Sequence, residues 1–107
     1  MRLAMKRDMK LVFEILVFIE TCVTDIGPAY YEIAQEIGIK RGALDSGDAE
    51  EALLEEIVYH LDMLVGGGKI SKYEREPNAE QTDETFYQLT WDGHDLLDSM
   101  RQVVSIR

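Results

Sequence analysis

Two histidines are the residues of this 107-residue chain best suited to acid–base or metal chemistry. His94 and Asp98 are four residues apart, and on a helix this spacing places two possible metal ligands on one face. The sequence offers no evident third ligand. His60 lies between Tyr59 and Leu61, where a histidine more often forms a hydrogen bond at the rim of a core than acts as a base. We therefore expect structural roles for both histidines and no metal site.

The other reactive residues lack the neighbours that catalysis needs. Cys22, the only cysteine, has no histidine close in sequence, so we expect a buried and unreactive thiol. The glycines and lysine of Gly66–Lys69 have the composition of a phosphate-binding loop, but such a loop leads from a strand into a helix, and this segment leads from a helix into a strand. The carboxylates form no defensible acid–base pair. The sequence predicts a protein that is not an enzyme and needs no cofactor.

The charge balance excludes two broad classes of binding protein. With 21 acidic and 11 basic residues, the net charge is −10, which excludes a generally basic nucleic-acid binder and a polybasic membrane binder. The longest apolar run is Ile15–Ile19, whereas a membrane span needs about 20 residues. A single cysteine fits a reducing compartment. We expect a cytoplasmic protein with no membrane partner.

The spacing of apolar residues predicts helices around one short hairpin. The first predicted helix runs from Asp8 to about Cys22, a short second helix follows Gly27-Pro28 and stops at Gly38, and a third covers Ala49–Val65. The predicted strands are Lys69–Tyr73 and Thr85–Leu89. Thr90 is expected to cap a last helix that runs towards Val104. The fold class is thus mostly α with a small β-hairpin (α+β). Three helices followed by a hairpin are typical of a winged helix-turn-helix, in which the third helix usually reads DNA.

The third predicted helix is amphipathic and strongly acidic. Its expected core face consists of Leu54, Ile57, Val58, Leu61, Leu64 and Val65. The opposite face is a candidate surface for a protein partner and carries Glu51, Glu55, Tyr59 and Asp62. The helix has no Lys or Arg, and the segment between the strands is acidic too, so contact with phosphates through either element is disfavoured.

DNA binding remains an alternative through the basic residues elsewhere in the chain. The candidate contacts with DNA are the β-hairpin, which is the wing of a winged helix, and five basic residues: Lys6, Arg7, Lys10, Lys40 and Arg41. Two further interpretations stay open for the acidic face. In the first, the face is only a solvated surface. In the second, it imitates the charge of DNA and binds a basic protein.

Apolar residues cover nearly the whole circumference of the first helix, where Glu14 is the only charge between Lys10 and Glu20. Such a helix is buried on two sides. We expect a homodimer with Phe13 or Val17 at the contact. In the alternative, the last helix covers one side and the second and third helices cover the other within one chain.

The aromatic residues suggest further contacts. We expect Trp91 to anchor the hairpin to the last helix from within the core, with a role at an interface as the alternative. We expect His94 to pack on Trp91 or to form a hydrogen bond to the preceding strand. Tyr30 fits the core, and its neighbour Tyr31 should be exposed.

Three segments together resemble a known family. They are Met5–Val12, Glu56–Val65 with the following glycines and Ile70, and Leu89–Arg101 with its Trp-x-Gly-His signature at Trp91, Gly93 and His94. The chain resembles the small bacterial and phage proteins of domain-of-unknown-function family 2513. The resemblance spans about Met5–Arg101 and implies a winged-helix-like fold. We expect a single domain over residues 5–107, with residues 1–4 as an N-terminal extension. The resemblance implies no catalytic residue. The three glycines after the third helix depart from the family pattern.

Overall fold

A computed structural model describes residues 7–22, 24–43, 47–75 and 84–105, with the backbone alone for residues 75, 84 and 103–105. Over these ranges the elements are α1 (Met9–Thr21), α2 (Tyr30–Arg41), α3 (Gly47–Gly66), β1 (Ile70–Arg75), β2 (Glu84–Leu89) and α4 (Trp91–Ser105). The two strands pair antiparallel. The predicted α+β class, mostly helical with a small hairpin, is confirmed.

Helix α1 begins at Met9 because the residue before it satisfies two backbone donors of the first turn. A carboxylate oxygen of Asp8 accepts hydrogen bonds from the N–H groups of Lys10 and Leu11. The helix contacts α2, α3, α4 and β2, so several elements of the same chain cover it. Its fully enclosed side chains are Leu11, Val12, Ile15, Leu16 and Ile19.

Helix α2 continues one turn beyond its predicted end. Gly38 is buried and helical, and the helix stops at Gly42, which has the left-handed φ of 65°. The N–H of Ala43 donates to the carbonyl of Gly38 over 2.9 Å, which closes the helix end. The prediction of a stop at Gly38 was wrong, because a glycine ends a helix in this way only where its backbone turns left-handed.

Helix α3 is rotated relative to the predicted face. Leu53 and His60 are buried in it, whereas Val58 is 43% exposed and Leu54 is half-buried. Ile57, Leu61 and Leu64 are buried as predicted. The assignment of Val58 to the core was therefore wrong, and His60 is part of the buried face of α3.

Strand β2 lies between β1 and the segment that precedes α2. The hairpin register runs from Ile70 opposite Leu89 to Arg75 opposite Glu84. On the other edge, the N–H of Tyr87 donates to the carbonyl of Pro28 over 3.1 Å, and Ala29 forms an isolated bridge with Phe86. The hairpin therefore gains support from a third segment as well as from the helices.

The first turn of α4 is fixed directly to the α3–β1 turn. Thr90 Oγ1 accepts from the N–H of Gly93 over 3.1 Å, which confirms Thr90 as the cap, and donates to the carbonyl of Gly68 over 2.6 Å. A Cβ on Gly93 would lie 1.9 Å from the carbonyl oxygen of Lys69. The glycine of the Trp-x-Gly-His signature is thus required by close packing of two backbones.

Two ion pairs connect α1 to its neighbours. Glu14 pairs with Arg41 of α2, and Glu20 binds Arg101 of α4 through both carboxylate oxygens, at 3.0 and 2.6 Å. The hydrogen bond from Arg101 is the main cause that lowers the pKa of Glu20. Both acidic residues within α1 are therefore used to orient adjacent helices.

Candidate functional site

A groove runs along the surface between α2 and α3. Two adjoining depressions form it, of about 310 and about 480 Å³, and both are lined by Tyr30 and Leu54. Tyr30 is half-buried, and burial raises the pKa of its hydroxyl, while Tyr31 beside it is exposed, as predicted. We call this feature the α2–α3 groove.

The α2–α3 groove exposes apolar and aromatic side chains that a solvated helix face would not need. Val58 is 43% exposed, Tyr59 37% and Tyr31 60%. Val58 and Tyr59 line the larger depression, and Tyr31 lines the smaller one. The three surround the shared floor of the groove, so they form one continuous patch rather than scattered residues.

Carboxylates border this patch on the α3 side. Glu50 lines the smaller depression, and Glu51 and Glu55 line the larger one. The predicted partner-contact residues Glu51, Glu55, Tyr59 and Asp62 are all exposed, and their spacing of four, four and three residues aligns them in one stripe. Three of them line the groove. Asp62 is close enough to the hairpin to help raise the pKa of Tyr87, although burial is the larger cause.

The basic residues proposed for DNA contact are only partly brought together. Arg7 and Lys10 are exposed at the start of α1, and Lys6 lies outside the described residues. Lys40 Nζ is 3.4 Å from a carboxylate oxygen of Glu36. The side chain of Arg41 is bound to Glu14, and that hydrogen bond is the main cause that raises the pKa of the guanidinium. The cations of α2 are thus paired with carboxylates.

Phe13 and Val17, proposed for the dimer contact, are half-buried and pack against the core of their own chain. The surrounding helices therefore cover part of each side chain. The remaining exposed part is the surface that a second chain would have to use.

His60 is enclosed in the core, with 1% of its surface exposed, so its expected place at the rim was wrong. Its expected hydrogen bonding is present. Nε2 accepts from the backbone N–H of Asp8 over 2.8 Å, and Nδ1 lies 2.7 Å from the carbonyl oxygen of Glu56. Since Nε2 must accept, Nδ1 carries the proton and donates. Both ring nitrogens therefore serve structural contacts, which leaves neither for catalysis.

The aromatic residue of the signature has a different place from the one predicted. Trp91 is 83% exposed, so its assignment as a core anchor was wrong. The first turn of α4 approaches the α3–β1 turn through the backbone of Gly93, and a core contact of α4 is made further along, by the fully buried Leu97. His94 is also exposed, and its electrostatic interaction with Glu20 on α1 is a minor cause of the lowered pKa of that carboxyl.

Cys22 is half-buried at the end of α1, where its Sγ lies 3.2 Å from Oγ1 of Thr24. The prediction of a buried thiol was wrong, because α1 ends at Thr21 and the chain turns towards the surface there.

Within the described ranges, no cluster of three or more His, Cys, Asp or Glu side chains could hold a metal ion. Over the same residues, each helix is too short or too polar to cross a membrane. We argue a function from the α2–α3 groove because it combines exposed apolar side chains with bordering carboxylates. Sequence reasoning found its acidic border but missed its apolar floor, since Val58 and Leu54 also fit the periodicity of a core face.

Comparison with known proteins gives one match. The family model described as "Hypothetical protein (DUF2513)" matches residues 6–104, which is nearly the whole chain and covers the described helices and strands except the last residue of α4. Neither a curated protein nor a solved structure matches.

Proposed function

We propose that this chain, which belongs to the DUF2513 family of hypothetical proteins, is a non-enzymatic, cytoplasmic protein-interaction module. Its fold is winged-helix-like, and its third helix serves to bind a protein rather than DNA. The partner binds along the α2–α3 groove and the acidic stripe of Glu51, Glu55, Tyr59 and Asp62.

The observation that carries this proposal is an apolar surface left open beside the core. Val58 and Tyr31 are exposed next to a half-buried floor of Tyr30 and Leu54. Exposed apolar groups that are contiguous and bordered by polar ones are typical of protein-binding surfaces. Tyr59 adds an aromatic residue of the type that often dominates binding energy at interfaces.

The charge of α3 argues against DNA as the ligand of this face. The helix contains Asp48, Glu50, Glu51, Glu55, Glu56 and Asp62 and neither Lys nor Arg. Nucleic-acid affinity comes largely from cations that replace the counterions of phosphates. A helix with six carboxylates placed in a groove of DNA would add repulsion instead.

Site-specific crosslinking tests the proposal. A photoreactive phenylalanine analogue replaces Tyr59 in the native host, and crosslinked proteins are identified and then purified. We expect direct binding of the purified partner to wild type, about tenfold weaker binding to Val58→Asp, and unchanged binding to Met9→Asp. Met9 is a matched control because it is 42% exposed and lies on α1. Equal binding by all three proteins would exclude the groove.

A second candidate function is DNA binding through the start of α1. One contact favours it. Arg41 of α2 pairs with Glu14, and Glu14 lies one turn after Lys10 on the same face of α1. The basic residues of α1 and α2 therefore lie on one side of the protein. In a mobility-shift assay at about 50 mM salt, this function requires retardation of duplex DNA that is lost when Arg7 and Lys10 are replaced by Gln. Absence of retardation would exclude it.

We also propose that two copies pair through α1. The exposed parts of Phe13 and Val17 are apolar and adjacent on one face, four residues apart, which is the support for this assembly.

A further inference from the structure

We infer that the segment bound in the α2–α3 groove is a cationic amphipathic helix of another protein. This inference rests on the proposed function and adds the chemical class of the partner. It follows from the shape of the groove, from the sign of the charges around it, and from the rotation of α3.

The shape of the groove favours a helix. It lies between two helices, and an amphipathic helix commonly binds such a surface by placing its apolar stripe on the floor. The stripe from Glu51 to Asp62 spans three turns of α3, or about 16 Å. A partner helix of about four turns, or about 22 Å, would cover this length and place apolar residues on Leu54, Val58 and Tyr30.

The charges along the groove favour a cation. The residues that line its two depressions include Glu50, Glu51 and Glu55 and no Lys, Arg or His. Lys and Arg residues on the sides of a bound helix would lie beside these carboxylates with their apolar stems along the floor. Opposite charges at the edge of an apolar contact accelerate association and reject partners of the wrong sign.

The same charges argue against a second copy of this chain as the occupant. A two-fold contact places a patch against its own copy, so Glu51 and Glu55 would face the same carboxylates across the interface. Pairing of two copies is therefore assigned to α1 and not to this groove.

The rotation of α3 about its axis determines which of its side chains face the groove and which face the core. A rotation that buried Val58 would give a core without the polar side chain of His60. In the structure the histidine is buried with both nitrogens bonded, and the valine faces outward. The hydrogen bond to Asp8 and the burial of Leu53 both accompany this rotation, in which Val58 and Tyr59 lie on the groove side.

A designed peptide tests the inference with purified full-length protein. The probe is a synthetic helix of about four turns with a Leu stripe bordered by Lys and Arg. One control peptide has the same composition in scrambled order, and a second has Glu in place of each cation. Binding is measured by calorimetry at low and high salt. We expect binding of the first peptide alone, weakened at least tenfold by high salt.

Variants locate the bound peptide. Val58→Asp should weaken binding about tenfold, and Glu51→Lys combined with Glu55→Lys should abolish it at low salt. The matched controls are Met9→Asp and the double variant Asp95→Lys with Asp98→Lys, which changes exposed carboxylates of α4 by the same total charge. Both controls should bind as wild type does. Circular dichroism of each variant establishes that it is folded.

Failure of this inference can be distinguished from failure of the proposed function. Equal binding of the scrambled peptide, binding of the Glu peptide, or no binding of the cationic helix would overturn the inference. The crosslinking experiment is independent of the peptide. One outcome would overturn the inference that the partner is cationic but support the proposed interaction module: a neutral or acidic protein that crosslinks at position 59 and binds more weakly to Val58→Asp. Retardation of duplex DNA by the Glu51/Glu55 face would overturn both the inference and the proposed function.

Discussion

The backbone N–H of Asp8 donates a 2.8 Å hydrogen bond to Nε2 of His60, 52 positions further along the chain. The carboxylate of Asp8 caps α1 at the same time, so one residue holds the start of α1 by its side chain and fixes it to α3 by its backbone. The ring of Tyr59 packs edge-on against the imidazole, with centroids 5.3 Å apart. The buried contact and the exposed stripe are therefore neighbours on one helix.

Replacing His60 by Leu should lower the free energy of unfolding by about 1–3 kcal/mol. Leu fills the space but leaves the N–H of the half-buried Asp8 without its acceptor, and a donor that loses its partner and has little access to water costs about this much. Urea unfolding followed by circular dichroism measures the change. Asp62→Asn, an exposed change on the same helix, should stay within about 0.5 kcal/mol of wild type. A His60→Leu protein as stable as wild type would show that the bond contributes nothing.

Replacing Gly93 by Ala should destabilise the protein by about 1–3 kcal/mol. The added Cβ would lie 1.9 Å from the carbonyl oxygen of Lys69, so α4 must move away from the α3–β1 turn. Gly66→Ala is the control, since a Cβ at Gly66 meets nothing within 4 Å. Thermal unfolding compares the two variants, and equal melting temperatures would contradict the close packing.

Stability should depend on pH through Glu20. Its pKa is lowered from the ordinary 4.5 in the folded protein, chiefly by the hydrogen bond from Arg101. The carboxylate therefore contributes stability above pH 4.5, and this contribution is lost as the pH falls through the lowered folded-state value. The effect is small because the pair is largely exposed. NMR titration of Glu20 should show its pKa rising in Arg101→Gln, and an unchanged titration would refute the assignment.

Val17→Glu should convert a dimer into a monomer. A carboxylate on the exposed edge of the Phe13–Val17 face would be buried against its own copy on pairing. Light scattering over a range of concentrations gives the mass, and circular dichroism checks that the variant is folded, since Val17 also packs on its own core. A wild-type protein that stays monomeric at the highest concentration would end the dimer hypothesis.

Trp91 should emit at the wavelength of tryptophan in water and be quenched readily by acrylamide. It is the only tryptophan in the chain and is 83% exposed, so the fluorescence reports this position alone. A blue-shifted and protected emission in the wild type would mean that Trp91 is covered in solution. Dilution that shifts such an emission to the red would identify a second copy as the cover.

Sequence periodicity was sufficient for the helices, the hairpin and the cap at Thr90, because these depend on local rules. It was not sufficient to fix the rotation of α3. Leu53 and Leu54, like Ile57 and Val58, are adjacent apolar pairs, and either member of each fits a helical stripe. The choice depends on His60, whose partner at Asp8 is distant in sequence and is a backbone group that no motif reveals.

The candidate site was half predictable for the same reason. The carboxylates at positions 51, 55 and 62 were expected to be exposed because charged groups are rarely buried, whichever face of the helix packs on the core. The apolar floor of the α2–α3 groove depends on how two helices meet, and a pattern along one helix does not contain that information. The prediction for Trp91 was wrong for a related reason. Its size suggested a core residue, but the close backbone contact of Gly93 turns another face of α4 towards the protein and leaves Trp91 facing outward.

The contact of Pro28 and Ala29 with β2 has a consequence for the behaviour of the protein at high concentration. Strands at the margin of a sheet can recruit strands from other molecules, which is how fibrils begin. The N–H of Tyr87 is already bonded to Pro28, so growth on that side would first require the chain to detach there. On the other side, β1 carries Lys72, which pairs with Glu74 on the same strand, and charged side chains at such an edge oppose the addition of a further strand. Within the described residues, both edges of the hairpin thus carry a feature that opposes fibril growth.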